Sequence, residues 1–200
     1  STAEDEWDET LIKTKFLQTD FQLIETAIDD WQRHVKRMKK SALKLGFKWN
    51  ENIEKIRIKG LTRVLLNKNG NFEVEYKKLP EIIQGKQKVK LGRKISSANP
   101  FLYHKTTVRE GKPKDCFDII EINERGEITE GTYTNIAVEK DGKLYTPPIS
   151  CGLLGGTYRE KLIEECKLEE KILYPDDLER AEKIFCFNSV RKLVEVELCS

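Results

Sequence analysis

The spacing of apolar positions early in the chain predicts one amphipathic helix. Apolar side chains recur there at steps of three and four residues, at Trp31, Val35, Met38, Ala42 and Leu45. Asp29 or Asp30 is a good N-cap for such a helix, and Gly46 can end it in the left-handed conformation. We therefore expect a helix over residues 30–45.

Alternating or β-branched runs predict strands over most of the remaining chain. Before the helix, residues 14–28 are typical of one or two strands around Thr19-Asp20. After it, we expect a strand at 55–59, a hairpin of 62–66 with 72–76 around the turn 67–70, and a strand at 88–95. Residues 1–12 are predicted to form a polar arm.

The second half of the chain repeats this pattern. Further strands are predicted at 117–122, 184–187 and 194–198, and a hairpin at 135–139 with 143–145. A helix is expected to start at Thr157, which has capping-box spacing to Glu160, and a short helix is expected near 176–183. Strands outnumber helices, so the predicted class is α+β or mixed α/β.

A polar stretch at 96–100 (SSANP) divides the chain. We expect a smaller N-terminal domain over residues 1–97, a linker at 98–102 and a larger domain over 103–200. Two hundred residues suffice for one large domain or two small ones that share an interface.

Charge and composition narrow the classes of function. The 36 basic and 34 acidic residues nearly cancel, so no general attraction to nucleic acid or to an acidic membrane is expected. The first residues are acidic, without the apolar core of a signal peptide, and no apolar run is long enough to span a bilayer. The chain begins with Ser1 rather than Met, which indicates trimming or a remnant of cloning.

The cysteines and histidines argue against structural metal or disulfide bonds. Five cysteines are present, none in CxxC spacing, and several lie inside aliphatic runs where cysteine acts as a small core residue. With two histidines, a His-rich metal site is excluded, so we expect no bound metal. Cysteines without disulfide spacing are typical of proteins in a reducing cytosol, so the expected location is cytoplasmic.

Three separated features together predict a phosphate site. Gly155 and Gly156 precede the helix that starts at Thr157, and helix N-termini bind anions through free N–H groups. Asn188-Ser189 forms a second turn with amide and hydroxyl donors, and Arg37 on the first helix adds a full positive charge. Any one of these features is more often purely structural, but their combination favours a phosphate dianion.

The motifs of this chain resemble those of the fold-type IV pyridoxal-phosphate enzymes, a family of class IV aminotransferases and aminodeoxychorismate lyases. The resemblance extends over nearly the whole chain from Phe21 on. Four segments carry it: FQLIET at 21–26; HVKRM at 34–38 with SA at 41–42; GEITEG at 126–131 with Asn135; and YTPP at 145–148 through GLLGGTYR at 152–159. PFLYHKTT at 100–107 and NSVR at 188–191 are similar to the lyase branch.

This resemblance implies the fold, the cofactor and a role for each matched residue. The fold is α+β, with a small α/β N-terminal domain and a larger, barrel-like C-terminal domain, and pyridoxal 5′-phosphate lies between them. Lys105 matches the lysine that bonds covalently to the cofactor, and Glu130 the carboxylate beside the pyridine nitrogen. The other implied cofactor-binding residues are Arg37, Asn135, Gly156, Thr157, Asn188 and Ser189. Thr26 is a further catalytic candidate, and Thr26 and Arg109 are candidates to face the substrate, with a plain structural role as the alternative for each.

The implied activity is that of a 4-amino-4-deoxychorismate lyase, which releases pyruvate and 4-aminobenzoate for folate biosynthesis. The first alternative is a class IV aminotransferase of the D-amino acid or branched-chain type. The second is a degenerate, non-catalytic member that binds a phosphate ligand or a partner protein. The resemblance further implies a small-molecule substrate and a homodimer.

One departure from the family pattern follows the candidate lysine. The family usually has a helix of ten or more residues there, whereas residues 108–116 are few and include Gly111 and Pro113. We expect this helix to be missing or reduced to a turn, which motivates the non-catalytic alternative.

Overall fold

Two β-sheets and the helices packed on them form the fold in a computed structural model of the chain, which describes residues 20–109 and 113–199. The polar arm predicted at 1–12, the part of the first strand region before Asp20, and Gly111 lie outside the described residues. Within the described parts, no helix has the length and apolar character that crossing a bilayer requires.

The first sheet is antiparallel and has the order β1-β2-β3. Its strands are β1 (Leu23–Ala27), β2 (Leu61–Leu66) and β3 (Phe72–Lys77). Strand β1 pairs with β2 from Leu23↔Leu66 to Ala27↔Thr62. The predicted hairpin of β2 and β3 is confirmed, because Asn67 and Asn71 close its turn with a backbone hydrogen bond of 2.9 Å.

Helix α1 (Trp31–Leu45) covers this sheet with the predicted apolar stripe. Trp31, Val35, Met38 and Ala42 are buried in one core with strand β1, and Gly46 ends the helix at φ 70° as expected. Asp30 holds the N-cap position, but its side chain does not cap the helix. Its carboxylate instead accepts a hydrogen bond from Arg33 Nε at 3.1 Å. The predicted N-cap residue is therefore confirmed, without a capping hydrogen bond from its side chain.

The strand predicted at 55–59 was also wrong. Residues Glu51–Lys55 form a 3₁₀ helix, and the Asn50 side chain accepts a hydrogen bond from the Asn52 N–H at its start. Ile56 and Ile58 nevertheless pack against the first core. Their alternation therefore reflects burial of every second side chain in an extended segment that pairs with no strand among the described residues.

The second sheet has eight strands in the order β6-β5-β4-β11-β10-β7-β8-β9. Pairing is parallel for β11–β4, β4–β5 and β8–β9, and antiparallel elsewhere. The strands are β4 (Gln87–Lys94), β5 (Asp118–Ile122), β6 (Ile128–Gly131), β7 (Asn135–Lys140), β8 (Lys143–Thr146), β9 (Glu169–Glu170), β10 (Lys183–Asn188) and β11 (Lys192–Leu198).

Most of these strands match the predictions, but β6 and β9 were not predicted. All four residues of β6 are buried, so this strand has no alternation of apolar and polar positions to reveal it. Strand β9 has two residues, too few for any periodic pattern.

The remaining helices are short. Helix α2 (Thr157–Glu164) begins where predicted, and helix α3 (Pro175–Glu179) ends earlier than expected because Lys183 already starts β10. The N-cap of α2 is Gly156, so the capping box expected from Thr157 and Glu160 was wrong. Two further 3₁₀ helices span Pro100–Tyr103 and Ile149–Cys151.

Strand β4 links the two halves of the chain. It lies before the polar stretch at 96–100, yet it pairs in parallel with both β5 and β11 and so belongs to the second sheet. The division into domains at residues 98–102 stays a prediction. The described residues of 108–116 contain no helix, in agreement with the expected loss of that element.

Candidate active site

Residues from both sheets line one cavity of about 240 Å³. This volume is somewhat below the roughly 300–1,000 Å³ of sites that take drug-sized ligands, and it suits a smaller molecule. The structure brings eight of the nine predicted site residues to its wall: Arg37, Lys105, Glu130, Asn135, Gly156, Thr157, Asn188 and Ser189.

Thr26 is the predicted residue that does not line this cavity. Its neighbour Ile24 lies in the wall instead. The Thr26 carbonyl accepts a hydrogen bond from Ser189 Oγ at 3.4 Å, so Thr26 contacts the site through its backbone. A catalytic role for its side chain stays a prediction.

The segment that carries Lys105 is fastened to the first sheet and to helix α1. The Ile24 N–H donates to the Lys105 carbonyl and the Thr107 N–H to the Gln22 carbonyl, each at 3.0 Å. On the other side, the buried His104 ring shares a 2.8 Å hydrogen bond with Ser41 Oγ. These contacts fix the lysine backbone even though the described residues of 108–116 contain no helix.

The surroundings of the Lys105 amine favour its neutral, nucleophilic form. Burial, together with the charge of Arg37, lowers the pKa of Lys105 to about 8 against the opposing effect of Glu25. No hydrogen bond or ion pair ties its Nζ to any residue within the described ranges. A substantial fraction of this amine is therefore neutral near pH 8, as attack on a carbonyl requires.

Glu130 is held from three directions. Its Oε1 accepts hydrogen bonds from the Leu154 N–H at 3.0 Å and from Arg109, and its Oε2 accepts one from Asn135 Nδ2 at 3.0 Å. Burial raises the pKa of Glu130, while the charge of Arg109 opposes that rise. The result is a rigid carboxylate at the cavity wall, suited to bind a cationic N–H group.

Asn135 and Gly156 fit together so closely that each constrains the other. A Cβ atom on residue 156 would lie 2.0 Å from Asn135 Oδ1, which only glycine avoids. Asn135 Nδ2 also donates to the Leu154 carbonyl at 2.9 Å. Gly156 thus lets the start of helix α2 approach the strand that holds Asn135.

The predicted anion cradle consists of the start of α2 and the turn at 188–189. The Asn188 carboxamide oxygen accepts hydrogen bonds from the N–H groups of Val190 and Arg191, so this side chain shapes the turn. Thr157 Oγ1 lies 3.2 Å from His34 Nε2. Both segments line the cavity, and a role in phosphate binding stays a prediction for each.

Arg37 has a partner that the sequence did not reveal. Its guanidinium donates to both oxygens of the buried Glu25, at 2.7 and 2.6 Å, and to the Gly155 carbonyl at 3.1 Å. His34 Nδ1 lies 2.7 Å from the same carboxylate. Arg37 therefore presents fewer free N–H groups to a phosphate than predicted, and it also ties α1 to β1 and to the start of α2.

Replacing Arg37 with glutamine should destabilise the cofactor-free protein by about 3 kcal/mol, because Glu25 would remain buried without its ion pair. Arg33→Gln is the matched control on the same helix, since its carboxylate partners Glu160 and Glu164 are exposed and the loss should stay below about 1 kcal/mol. Urea unfolding of both variants measures the difference. Equal losses would show that the Arg37–Glu25 pair contributes no more than a surface pair.

The same ion pair predicts how stability depends on pH. Burial alone would raise the pKa of Glu25, but Arg37 and His34 hold it lowered to about 2. The contribution of the Glu25 carboxylate to the free energy of unfolding is therefore complete above the ordinary carboxyl pKa and is lost as the pH falls towards about 2. The Arg37→Gln variant should lack this acid-dependent part of the free energy of unfolding.

Other lining residues were missed or only partly recognised from the sequence. Arg63 on β2 was not singled out, although its position between the buried Thr62 and Val64 indicated the opposite face of the sheet. The partnership of Arg109 with Glu130 was not foreseen, because the two residues lie far apart in the chain.

The donor set fits pyridoxal phosphate. A neutral amine, a buried carboxylate and a helix N-terminus with nearby hydroxyl and amide groups match an aldehyde, a ring nitrogen and a phosphate. Lys105, Glu130 and the Thr157 and Ser189 segments provide these groups around one cavity.

Comparison with known proteins gives a family match. The family model described as "Amino-transferase class IV" matches residues 83–199. A Schizosaccharomyces pombe protein named "Putative aminodeoxychorismate lyase" is 29% identical over 200 aligned residues, covering 86% of this chain and 87% of that protein.

Solved structures show the same fold. A "Putative amino-acid aminotransferase" from Mesorhizobium loti has a TM-score of 0.80 and 33% identity, covering 90% of this chain and 100% of that one. A "Putative 4-amino-4-deoxychorismate lyase" from Legionella pneumophila has a TM-score of 0.76 at 19% identity, covering 92% of this chain and 84% of that one. The second likeness shows the fold alone.

Proposed function

The chain belongs to the class IV aminotransferase family, with the fold of the type IV enzymes, and on that premise we propose that it is a pyridoxal-phosphate-dependent 4-amino-4-deoxychorismate lyase. The observation that carries the proposal is the convergence of Lys105, Glu130 and the anion cradle on one cavity. The lyase assignment is supported by the fission yeast relative, whose similarity extends over most of both chains.

Lys105 and Glu130 have different roles at this site. When bound, pyridoxal phosphate supplies an aldehyde for amines and a ring that accepts electrons. Lys105 would hold the cofactor covalently, and its free amine would serve as the base for the proton on the substrate carbon that bears the amino group. Glu130 would keep a proton at the ring nitrogen, and its three hydrogen-bond donors hold the carboxylate in place.

The start of helix α2 and the turn at 188–189 orient the ligand through its phosphate. In this assignment Gly156, Thr157 and Ser189 contribute donors, and Arg37 contributes its charge and its remaining N–H groups. The short segment after Lys105 does not prevent this arrangement, because contacts to Gln22, Ile24 and Ser41 brace the lysine.

An aminotransferase is the second candidate, favoured by the 33% identity to the Mesorhizobium loti protein. Both activities need the same lysine and carboxylate. They differ in what happens to the substrate's amino group, which a lyase leaves on 4-aminobenzoate and an aminotransferase transfers to a keto acid.

The proposal predicts that the protein, loaded with pyridoxal phosphate, converts 4-amino-4-deoxychorismate into equimolar 4-aminobenzoate and pyruvate. Fluorescence of 4-aminobenzoate and a coupled lactate dehydrogenase assay measure the two products. The comparison reaction contains D-alanine or L-leucine alone and follows formation of pyridoxamine phosphate.

Three outcomes separate the candidates. Equimolar products support the lyase. Formation of pyridoxamine phosphate from an amino acid, without release of 4-aminobenzoate, contradicts the lyase and supports an aminotransferase. Binding of pyridoxal phosphate without either reaction contradicts both and supports the non-catalytic alternative.

A further inference from the structure

Three buried side chains from three different elements form a hydrogen-bonded chain that ends at the cavity wall. Glu25 lies on strand β1, His34 on helix α1, and Thr157 at the start of helix α2. His34 Nδ1 lies 2.7 Å from Glu25 Oε2, and His34 Nε2 lies 3.2 Å from Thr157 Oγ1. The side chains of Glu25 and His34 are each 1% exposed, so water has little access to this chain.

The Glu25 carboxylate determines which nitrogen of His34 carries a hydrogen. Burial would raise the pKa of Glu25, but the charge of Arg37 and the hydrogen bond from His34 hold it lowered to about 2. Glu25 is therefore an ionised carboxylate, which accepts hydrogen bonds and donates none. The hydrogen bond between Glu25 and His34 must then use an N–H at Nδ1.

The second ring nitrogen of His34 determines what the Thr157 hydroxyl can do. If His34 is neutral, Nε2 has no hydrogen, and the Thr157 O–H donates to it. If His34 is an imidazolium, Nε2–H donates to Thr157 Oγ1, and the hydroxyl hydrogen is free to turn towards the cavity. An ionised phosphate accepts hydrogen bonds, so the Thr157 hydroxyl can donate to it only in the second case.

The charges around the anion cradle lead to the same requirement. Arg37 is the positive charge that the sequence assigned to the phosphate, but Arg37 and Glu25 together form a neutral pair. An imidazolium at His34 would give this group of three one net positive charge. Thr157 and Ser189 line both the main cavity and a small space beside His34, so this charge lies next to the cradle.

Charged groups of the neighbouring elements do not supply this charge in its place. The titratable or charged residues that line the small space beside His34 are Asp29, Asp30, Arg33, Tyr158, Lys161 and Lys192. Asp29 pairs with Lys192 at 2.8 Å, and Asp30 with Arg33 at 3.1 Å. Lys161 lies 4.0 Å from Glu165, and burial raises the pKa of Tyr158, which keeps its hydroxyl uncharged. On the cavity side, Lys105 is the amine proposed to react.

We propose that His34 is an imidazolium when the cavity holds a phosphate ester, and that its Nε2–H turns the Thr157 hydroxyl towards the phosphate. Glu25 compensates the buried charge of the ring. His34 is thus a positioning residue that acts on the phosphate through Thr157. This inference rests on the proposed function in one respect, because it takes the cradle at Thr157 and Ser189 as a phosphate site.

Nuclear magnetic resonance of the ring nitrogens tests the proposal on the unmodified protein. The chain has two histidines, so isotope-labelled histidine gives few ring signals. The ligand is 4′-deoxypyridoxine 5′-phosphate, which has the phosphate but no aldehyde that could react with Lys105. In the saturated complex both nitrogens of His34 should carry a hydrogen. His104 is the neutral reference, because burial and the nearby Lys44 and Lys40 lower its pKa to about 4.

Affinity measures the same coupling. Calorimetric titration compares deoxypyridoxine phosphate with deoxypyridoxine, which lacks the phosphate. His34→Phe keeps a flat ring and leaves Glu25 paired with Arg37, and it should lower the preference for the phosphorylated ligand about 10- to 100-fold. Lys36→Gln removes an exposed charge from the same helix and should change this preference less than about threefold.

The variants also test whether His34 acts through Thr157. Thr157→Val should lose much of the same preference, and the double variant should lose little more than His34→Phe alone, because both changes remove one hydrogen bond to the phosphate. In the unmodified protein the preference should fall with rising pH, in step with loss of the hydrogen at His34 Nε2, and this dependence should be absent from His34→Phe.

The outcomes separate this inference from the proposed function. If the unmodified protein binds the phosphorylated ligand with a charged His34 but releases no 4-aminobenzoate, the lyase proposal fails and the role of His34 stands. An Nε2 without hydrogen in the saturated complex overturns the inference, as does an unchanged phosphate preference in His34→Phe, and neither result affects the lyase proposal. A protein without any preference for the phosphorylated ligand contradicts both, because the cradle would then not be a phosphate site.

Discussion

Replacing Lys105 with alanine should abolish both the covalent attachment of pyridoxal phosphate and turnover. The amine of Lys105 lines the cavity, lacks any partner in the described part of the chain, and has a pKa lowered by burial to about 8. Borohydride reduction followed by peptide mapping should find the cofactor on the Lys105 peptide of the wild type and on no peptide of the variant. The exposed Lys44, changed to alanine, is the control and should behave as wild type.

The lowered pKa of Lys105 also predicts how the rate of cofactor attachment depends on pH. Only the neutral amine attacks an aldehyde, so the rate of adduct formation should rise with pH and level off above about 8, well below the ordinary lysine value of 10.5. Stopped-flow absorbance of the cofactor-free protein mixed with pyridoxal phosphate measures this profile. A reducible adduct on another lysine of the Lys105→Ala variant would refute the assignment.

Glu130→Gln should lower kcat by about 10²- to 10³-fold while the cofactor still binds. Glutamine keeps the size of the side chain but removes the charge that keeps a proton on the ring nitrogen. It also removes one acceptor, so the amide would face the donor of either Asn135 or Arg109. We expect a stability loss of about 1–3 kcal/mol from this mismatch, separate from the loss in kcat.

Glu127→Gln is the matched control for this variant. Glu127 is a buried carboxylate on the same segment, bonded to Asn123 and Arg125, and it does not line the cavity. Its replacement should cost stability and leave kcat within a few-fold of wild type. Near-normal kcat in Glu130→Gln would refute the role of Glu130, and much of the argument from residues 126–131 with it.

Local patterns in the sequence determined much of the fold. The apolar stripe from Trp31 to Ala42 required a helix with one buried face, and Gly46 marked its end. The hairpins around residues 67–70 and 141–142 followed from turn residues between alternating runs. Such features depend on neighbours within a few positions, so the sequence alone contains the information.

The sequence also identified the residues that meet in the cavity, though by a different route. Residues 105, 130, 157 and 189 show no periodic relation to one another. They were recognised as a set because their motifs resemble those of one family, and the structure brings them to one wall. Thr26 is the exception, since its segment matched the family while a neighbouring residue took the place in the wall.

Only the tertiary structure decided which charged and polar groups pair. Arg37 bonds to Glu25 rather than remaining free for a phosphate, and Thr157 faces His34 rather than capping its helix. Arg63 reaches the cavity, and its Nε finds no hydrogen-bond acceptor among the residues that the structure describes. Strand β4 joins the second sheet although it precedes the polar stretch at 96–100. These outcomes depend on which side chains meet after distant segments pack, because a buried charge is stabilised only by the partner within a few ångströms of it.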